Sequence, residues 1–246
     1  EGFEFDSLHN SEPYYEAKPA ELAAYDDAWF DLARARLTET VSSGLSVVRR
    51  GPHADGPLDA LIKKKLRDLD FYWDQNRKIK DRAGNLRAAR DVLQSELART
   101  LISHHQAGDQ MMLIAHSIGS NIAYDVLRDL GYPARQIDVA YLVTMGSPLG
   151  LQVVKEKIRR ERWDNKVRTP SVVTRRWVNF ADPRDPVAID TCLADDYAPN
   201  SRGISVQDDL VLNDYHRGER QNPHKCYGYL RTPEMSRLIA EFLELT

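Results

Sequence analysis

Cysteine is scarce in this chain, with Cys192 and Cys226 as its 2 cysteines in 246 residues. So few cysteines exclude a disulfide framework of the kind that holds small secreted domains together, and reduced, structural thiols are the simpler interpretation. Long apolar runs are missing too, since no uninterrupted segment approaches the roughly 20 residues that cross a bilayer. We expect no transmembrane segment and a cytoplasmic location. Secretion stays an alternative, because the sequence begins at Glu1 and a signal peptide could precede it.

An excess of charge of one sign is also absent. Lysine and arginine total 34 against 37 acidic residues, which leaves a formal net charge of -3. This balance gives no electrostatic reason to expect a nucleic-acid partner. Neither of the glycine-rich patterns that cradle phosphates, GxxxxGK[ST] and GxGxxG, occurs, and the acidic residues over 195–214 lack the spacing of a calcium loop. The sequence therefore predicts neither a cofactor nor a metal.

Apolar runs alternate with helical patterns along the chain, and 42% of its residues are hydrophobic. This content is enough for a single domain over 1–246. The alternation predicts an α/β fold with a mostly parallel sheet flanked by helices, and with ligands at the carboxyl ends of the strands. A helical, partly apolar insert at about 13–70 can act as a lid or cover. The expected strands cover 1–6, 111–115, 139–144, 172–180 and 204–212, the last interrupted by Asp208 and Asp209, and the expected helices cover 19–41, 85–104 and 233–245.

Ser117 stands between an apolar run and a helical pattern, in the segment Ala115-His116-Ser117-Ile118-Gly119. The small residues Ala115 and Gly119 would let neighbouring chain pass closely, as in a nucleophile elbow. The run over 111–115 suits a strand buried on both faces, and the helical pattern after Ser117 stops at Gly131. The alternative is a serine that only caps an ordinary helix. At a helix N-terminus, Ser117 would also lie where free N–H groups favour a developing oxyanion.

A serine hydroxyl is a weak nucleophile unless a histidine takes its proton and an acid orients that histidine. The elbow resembles that of α/β-hydrolases, in which the acid and then the histidine follow the nucleophile along the chain, and this order implies His216 and His224 as candidate bases. His224 is preferred because it directly precedes the last helix. His116, beside the serine, is expected to be a side-chain prop. The histidines before the elbow are excluded by this order; they are His9, His53, His104 and His105.

Two aspartates, Asp182 and Asp185, follow the strand expected over 172–180, and either could orient the histidine. Asp185 is preferred because it begins the segment Asp-Pro-Val-Ala, in which proline withholds an N–H group and helps to hold an extended turn. Asp182 is the alternate acid, and its simpler role is to cap that turn.

These segments together resemble the α/β-hydrolase superfamily, and more particularly its serine esterase and lipase-like members. The resemblance rests on AHSIG, GSPLGL, WVNFADPRDPVA and NPHKCYGYL, and it covers the second half of the chain. It implies that Ser117 is the nucleophile, Asp185 the acid and His224 the general base, and that the backbone N–H of Ile118 donates to the oxyanion. It also implies a cofactor-independent serine hydrolase acting on a small-molecule ester or lipid, with transient contact with a lipid surface as a further expectation.

The sequence departs from the family pattern in two places. Ala115 replaces the usual first glycine, which keeps the position small. No His-Gly dipeptide occurs, although such a segment normally supplies the second oxyanion donor. We therefore expect that N-terminal strand and its loop to precede Glu1, with 1–6 as the following strand. An acyltransferase, an amidase or a thioesterase would use the same triad, and a non-catalytic binding protein of this fold is the alternative outside enzymes.

Overall fold

The computed structural model of the chain describes residues 67–132, 137–162, 166–217 and 220–244. The strand expected over 1–6 and the helix expected over 19–41 lie outside these residues. Of the insert expected over 13–70, only 67–70 are described. The elements, in chain order, are α1 (Arg67–Trp73), β1 (Lys78–Lys80), β2 (Leu86–Ala88), α2 (Ala89–Ala107), β3 (Met112–His116), α3 (Ile118–Leu130), β4 (Val139–Met145), a 3-10 turn (Pro148–Gly150), α4 (Gln152–Arg162), β5 (Val173–Ala181), β6 (Val206–Leu210), β7 (His216–Arg217), β8 (Arg220–Gln221), α5 (Cys226–Leu230) and α6 (Pro233–Glu244).

The main sheet consists of four parallel strands in the order β3-β4-β5-β6, so that neighbours in the sheet are also neighbours along the chain. All four strands therefore end at the same edge, and the loops that follow them emerge together. The predicted α/β class, with a parallel sheet flanked by helices, is confirmed. The two remaining sheets are small antiparallel pairs, β1 with β2 and β7 with β8.

Helices cover both faces of this sheet. Successive side chains of a strand point to opposite sides, so each face carries apolar side chains that need a partner. Leu142 of β4 packs into a core that includes Leu127 of α3. Its neighbours Tyr141 and Val143 pack on the other face, in a second core that includes Met235 and Leu238 of α6. Each face thus has its own apolar core, which gives the layered arrangement that the alternating sequence pattern predicts.

Three sequence predictions need correction. The helix expected over 85–104 begins at Ala89, because Leu86–Ala88 pairs instead with Lys78–Lys80 around a turn that Gly84 closes at φ 85°. The fourth strand is not interrupted, since β6 runs through Asp208, whose carboxylate accepts the N–H groups of Leu193 (3.0 Å) and Ala194 (2.8 Å).

The third correction concerns burial. The strand before Ser117 was expected to be buried on both faces, but Met112, Leu113 and Ile114 are only half-buried. The physical reason is position, because β3 is the edge strand of the described sheet.

Both cysteines are free thiols, as predicted. Within the described ranges, none of the helices is both long enough and apolar enough to cross a membrane.

Candidate active site

Ser117 lies in the sharp turn between β3 and α3. Its φ of 55° and ψ of −131° make it the one non-glycine residue with positive φ among the described residues. Such a backbone costs about 1–3 kcal/mol and persists only where surrounding contacts hold it. Here the N–H of Ser117 donates to the carbonyl of Met145 (3.1 Å), and its own carbonyl accepts from the N–H of Ser120 (2.9 Å). The turn therefore presents the serine side chain at the carboxyl edge of the sheet.

The structure brings Ser117, His224 and Asp185 into one hydrogen-bonded chain. The Oγ atom of Ser117 is 2.9 Å from Nε2 of His224, and Nδ1 of the same ring is 2.9 Å from each carboxylate oxygen of Asp185. Because a carboxylate can only accept, Nδ1 carries the proton and Nε2 is left to accept from the serine hydroxyl. Ser117 occupies the N-cap position of α3, yet its side chain makes no capping bond. The hydroxyl is thus directed to the histidine.

The other predicted acid, Asp182, is engaged elsewhere. Its fully buried carboxylate pairs with the guanidinium of Arg184 (2.7 Å) and accepts the backbone N–H of that residue (2.7 Å). It also accepts the N–H of Asn213 at 2.6 Å. Asp182 therefore caps the turn and anchors its neighbours, and it is Asp185 that the structure places against His224.

The alternate base, His216, lies on β7 with an exposed side chain, and its Nδ1 atom is 3.1 Å from the carbonyl oxygen of Asp214. His224 instead lies in the loop between β8 and α5. It was expected directly before the last helix, but the short helix α5 comes between it and α6. Of the two candidate histidines, the structure brings His224 to Ser117.

Asn213 holds the loop that carries His224. Its side-chain amide donates to the carbonyls of Pro223 (2.7 Å) and Lys225 (2.9 Å), one on each side of the histidine. The fit is tight, because a Cβ added to Gly228 would lie 1.6 Å from the side-chain oxygen of Asn213. The sequence analysis missed Asn213, since nothing in its local pattern points to a loop that follows it in the chain.

His116 contacts the loop of His224 from the elbow. Its Nε2 atom is 2.7 Å from the carbonyl oxygen of His224, and the two rings lie 4.7 Å apart. Burial, aided by the proximity of His224, lowers the pKa of His116 to about 4. The ring is therefore neutral near pH 7 and donates its Nε2 proton to that carbonyl. This contact matches the predicted role of a side-chain prop.

Gly146, the first residue of the GSPLG turn, makes room for the contact between Asp185 and His224. Its φ is 54°, and its N–H donates to the carbonyl of Phe180 (3.1 Å). A Cβ at this position would lie 2.7 Å from Oδ2 of Asp185 and 3.2 Å from Nδ1 of His224. Only a residue without a side chain fits here, which gives the turn after β4 a definite role at the site.

Ile118 is the first residue of α3, so its backbone N–H belongs to the first helical turn. As the first helical residue, Ile118 has no carbonyl partner within the helix for its N–H, which suits this group to an oxyanion. The strand and His-Gly loop expected before Glu1 lie outside the described residues.

No family model, curated protein or solved structure matches the chain.

Proposed function

We propose that this chain is a serine hydrolase of the α/β-hydrolase type that cleaves carboxylic esters through an acyl-enzyme on Ser117. The observation that carries the proposal is the continuous hydrogen-bonded chain from Ser117 through His224 to Asp185. Two features add support: the strained backbone of Ser117, and the order of nucleophile, acid and base along the sequence.

The proposed reaction has two steps. In the first, the Oγ atom of Ser117 attacks the ester carbonyl while Nε2 of His224 takes its proton, and the carboxylate of Asp185 stabilises the imidazolium. The N–H of Ile118 donates to the oxyanion, and the leaving alcohol departs with the proton from His224. In the second step, His224 takes a proton from water, whose oxygen attacks the acyl group. The bond from that group to Oγ of Ser117 then breaks, and His224 returns the proton to Oγ, which releases the free acid.

Hydrolysis of short and medium acyl p-nitrophenyl esters tests the proposal. We expect Ser117→Ala to lower kcat by at least about 10³-fold, because the nucleophile is lost. Ser95→Ala is a matched control, since that hydroxyl donates to the carbonyl of Val92 within α2 (3.0 Å), away from the site. A fluorophosphonate probe should label the wild type and Ser95→Ala but not Ser117→Ala. Equal turnover by wild type and Ser117→Ala would overturn the assignment.

Competing alcohol and amine acceptors in the same assay identify the acyl acceptor, which the triad alone does not choose. Ester or amide products in place of the free acid would indicate a transferase. A folded wild type that neither turns over esters nor reacts with the probe would instead indicate a binding protein.

A further inference from the structure

The carboxylate of Asp185 is fully buried and receives a donor on each oxygen besides the histidine. Its Oδ1 atom accepts the backbone N–H of Val187 at 2.8 Å, and its Oδ2 atom accepts the hydroxyl of Tyr229 at 2.7 Å. A buried carboxylate is costly unless such donors replace the water it has lost. The backbone donor is fixed by the chain, so Tyr229 is the side chain whose hydroxyl completes the shell around the acid.

The direction of the Tyr229 hydrogen bond follows from its second partner. The hydroxyl oxygen also accepts the backbone N–H of Asp182 at 3.0 Å. Because that N–H can only donate, the single hydroxyl proton is directed to Asp185. Burial and the charge of Asp185 raise the pKa of Tyr229 far above its ordinary value, so the phenol keeps this proton. The hydroxyl of Tyr229 therefore links the two ends of the turn over 182–185, namely the backbone N–H of Asp182 and the carboxylate of Asp185.

Tyr229 is also packed beside Gly146. Its side chain is fully buried, and a Cβ added to Gly146 would lie 3.1 Å from the edge of its ring. It belongs to α5, the short helix that directly follows the His224 loop. The segment that delivers the base thus also delivers the donor that holds the acid.

We propose that Tyr229 is a positioning residue. Its hydroxyl holds the carboxylate of Asp185 in the orientation that accepts the hydrogen bond from Nδ1 of His224. The inference rests on the proposed function, because Tyr229 acts through these two residues and touches no reacting atom.

Tyr229→Phe tests the proposal, since it removes the hydroxyl and keeps the ring. The matched control is Tyr124→Phe, because that buried hydroxyl likewise donates to one oxygen, the carbonyl of Arg168 (2.8 Å), and accepts one backbone N–H, that of Arg168 (3.3 Å). We expect Tyr229→Phe to lower kcat roughly 10-fold to 100-fold, the effect of losing a hydrogen bond to a charged group, with KM unchanged. Tyr124→Phe should lose stability without this loss of kcat.

A second measurement does not depend on turnover. The His224 Nδ1 proton, bonded to a carboxylate, should give a strongly downfield proton resonance that survives in Ser117→Ala. We expect this resonance to shift or broaden in Tyr229→Phe and to stay in place in Tyr124→Phe. An unchanged resonance in Tyr229→Phe refutes the positioning role, even if the protein proves not to be an esterase. An inactive wild type with the expected shift refutes only the proposed function.

Discussion

Replacing Gly146 by alanine should separate backbone strain from damage to the active site. The positive φ of 54° costs a residue with a side chain roughly 1–2 kcal/mol. The added methyl would also lie 2.7 Å from Oδ2 of Asp185, so one of them must move by about 0.7 Å to reach an ordinary contact of 3.4 Å. Since a misplacement near 1 Å can lower the rate by about 10²-fold, we expect a loss of kcat of that order.

Gly203→Ala is the matched control for this prediction. Gly203 has a φ of 78°, but a Cβ there meets nothing within 4 Å. Urea unfolding should show a loss of roughly 1–2 kcal/mol for Gly203→Ala, and at least as much for Gly146→Ala. Ester hydrolysis, measured where both variants are folded, should show a loss of kcat in Gly146→Ala alone. Equal kcat values in the two variants would refute the argument that Gly146 makes room for the acid and base.

Two further predictions concern buried ionisable groups. Asp185→Asn should lower kcat by about 10⁴-fold. Asp182→Asn should instead mainly lower the free energy of unfolding, by roughly 1.5–3 kcal/mol, because Asp182 pairs with Arg184. Steady-state kinetics and urea titrations distinguish the two outcomes. The reverse pattern would exchange the roles of Asp185 and Asp182. Folding lowers the pKa of His116 from 6.5 to about 4. As the pH falls, the imidazole is therefore protonated first in the unfolded chain. Stability is lost between pH 6.5 and pH 4, by up to about 3 kcal/mol. His116→Gln, which keeps a donor for the carbonyl of His224, should show a shallower loss of stability from pH 7 to pH 4, and parallel curves for variant and wild type would contradict this.

The sequence was sufficient to predict the strands that place two of the three site residues. Parallel strands that follow one another along the chain and in the sheet bring their following loops to one edge, so Ser117 after β3 and Asp185 after β5 could be grouped. Each of these two positions is a local property, namely an apolar run followed by a turn. His224 follows the polar pair Arg220–Gln221 instead, so it was selected from the order of nucleophile, acid and base along the chain.

Residues that act across the fold could not be predicted in this way. Asn213 and Tyr229 bond to backbone atoms of other loops, and no spacing or periodicity encodes such contacts. The β1 and β2 pair was missed for a related reason. Leu86 continues the apolar spacing of α2, but the turn at Gly84 directs it into a strand instead. Local pattern and tertiary pairing compete at such positions, and pairing prevails.

The contacts of Asn213 and His116 hold the loop of His224 from two sides. The backbone N–H of Asn213 binds the carboxylate of Asp182, and its side chain binds the carbonyls on both sides of His224. From the other side, His116, the residue before Ser117, bonds to the carbonyl of His224 itself. The position of His224 is therefore set jointly by segments at the carboxyl ends of two different strands of the sheet, and a change in either segment would disturb its distances to Ser117 and Asp185.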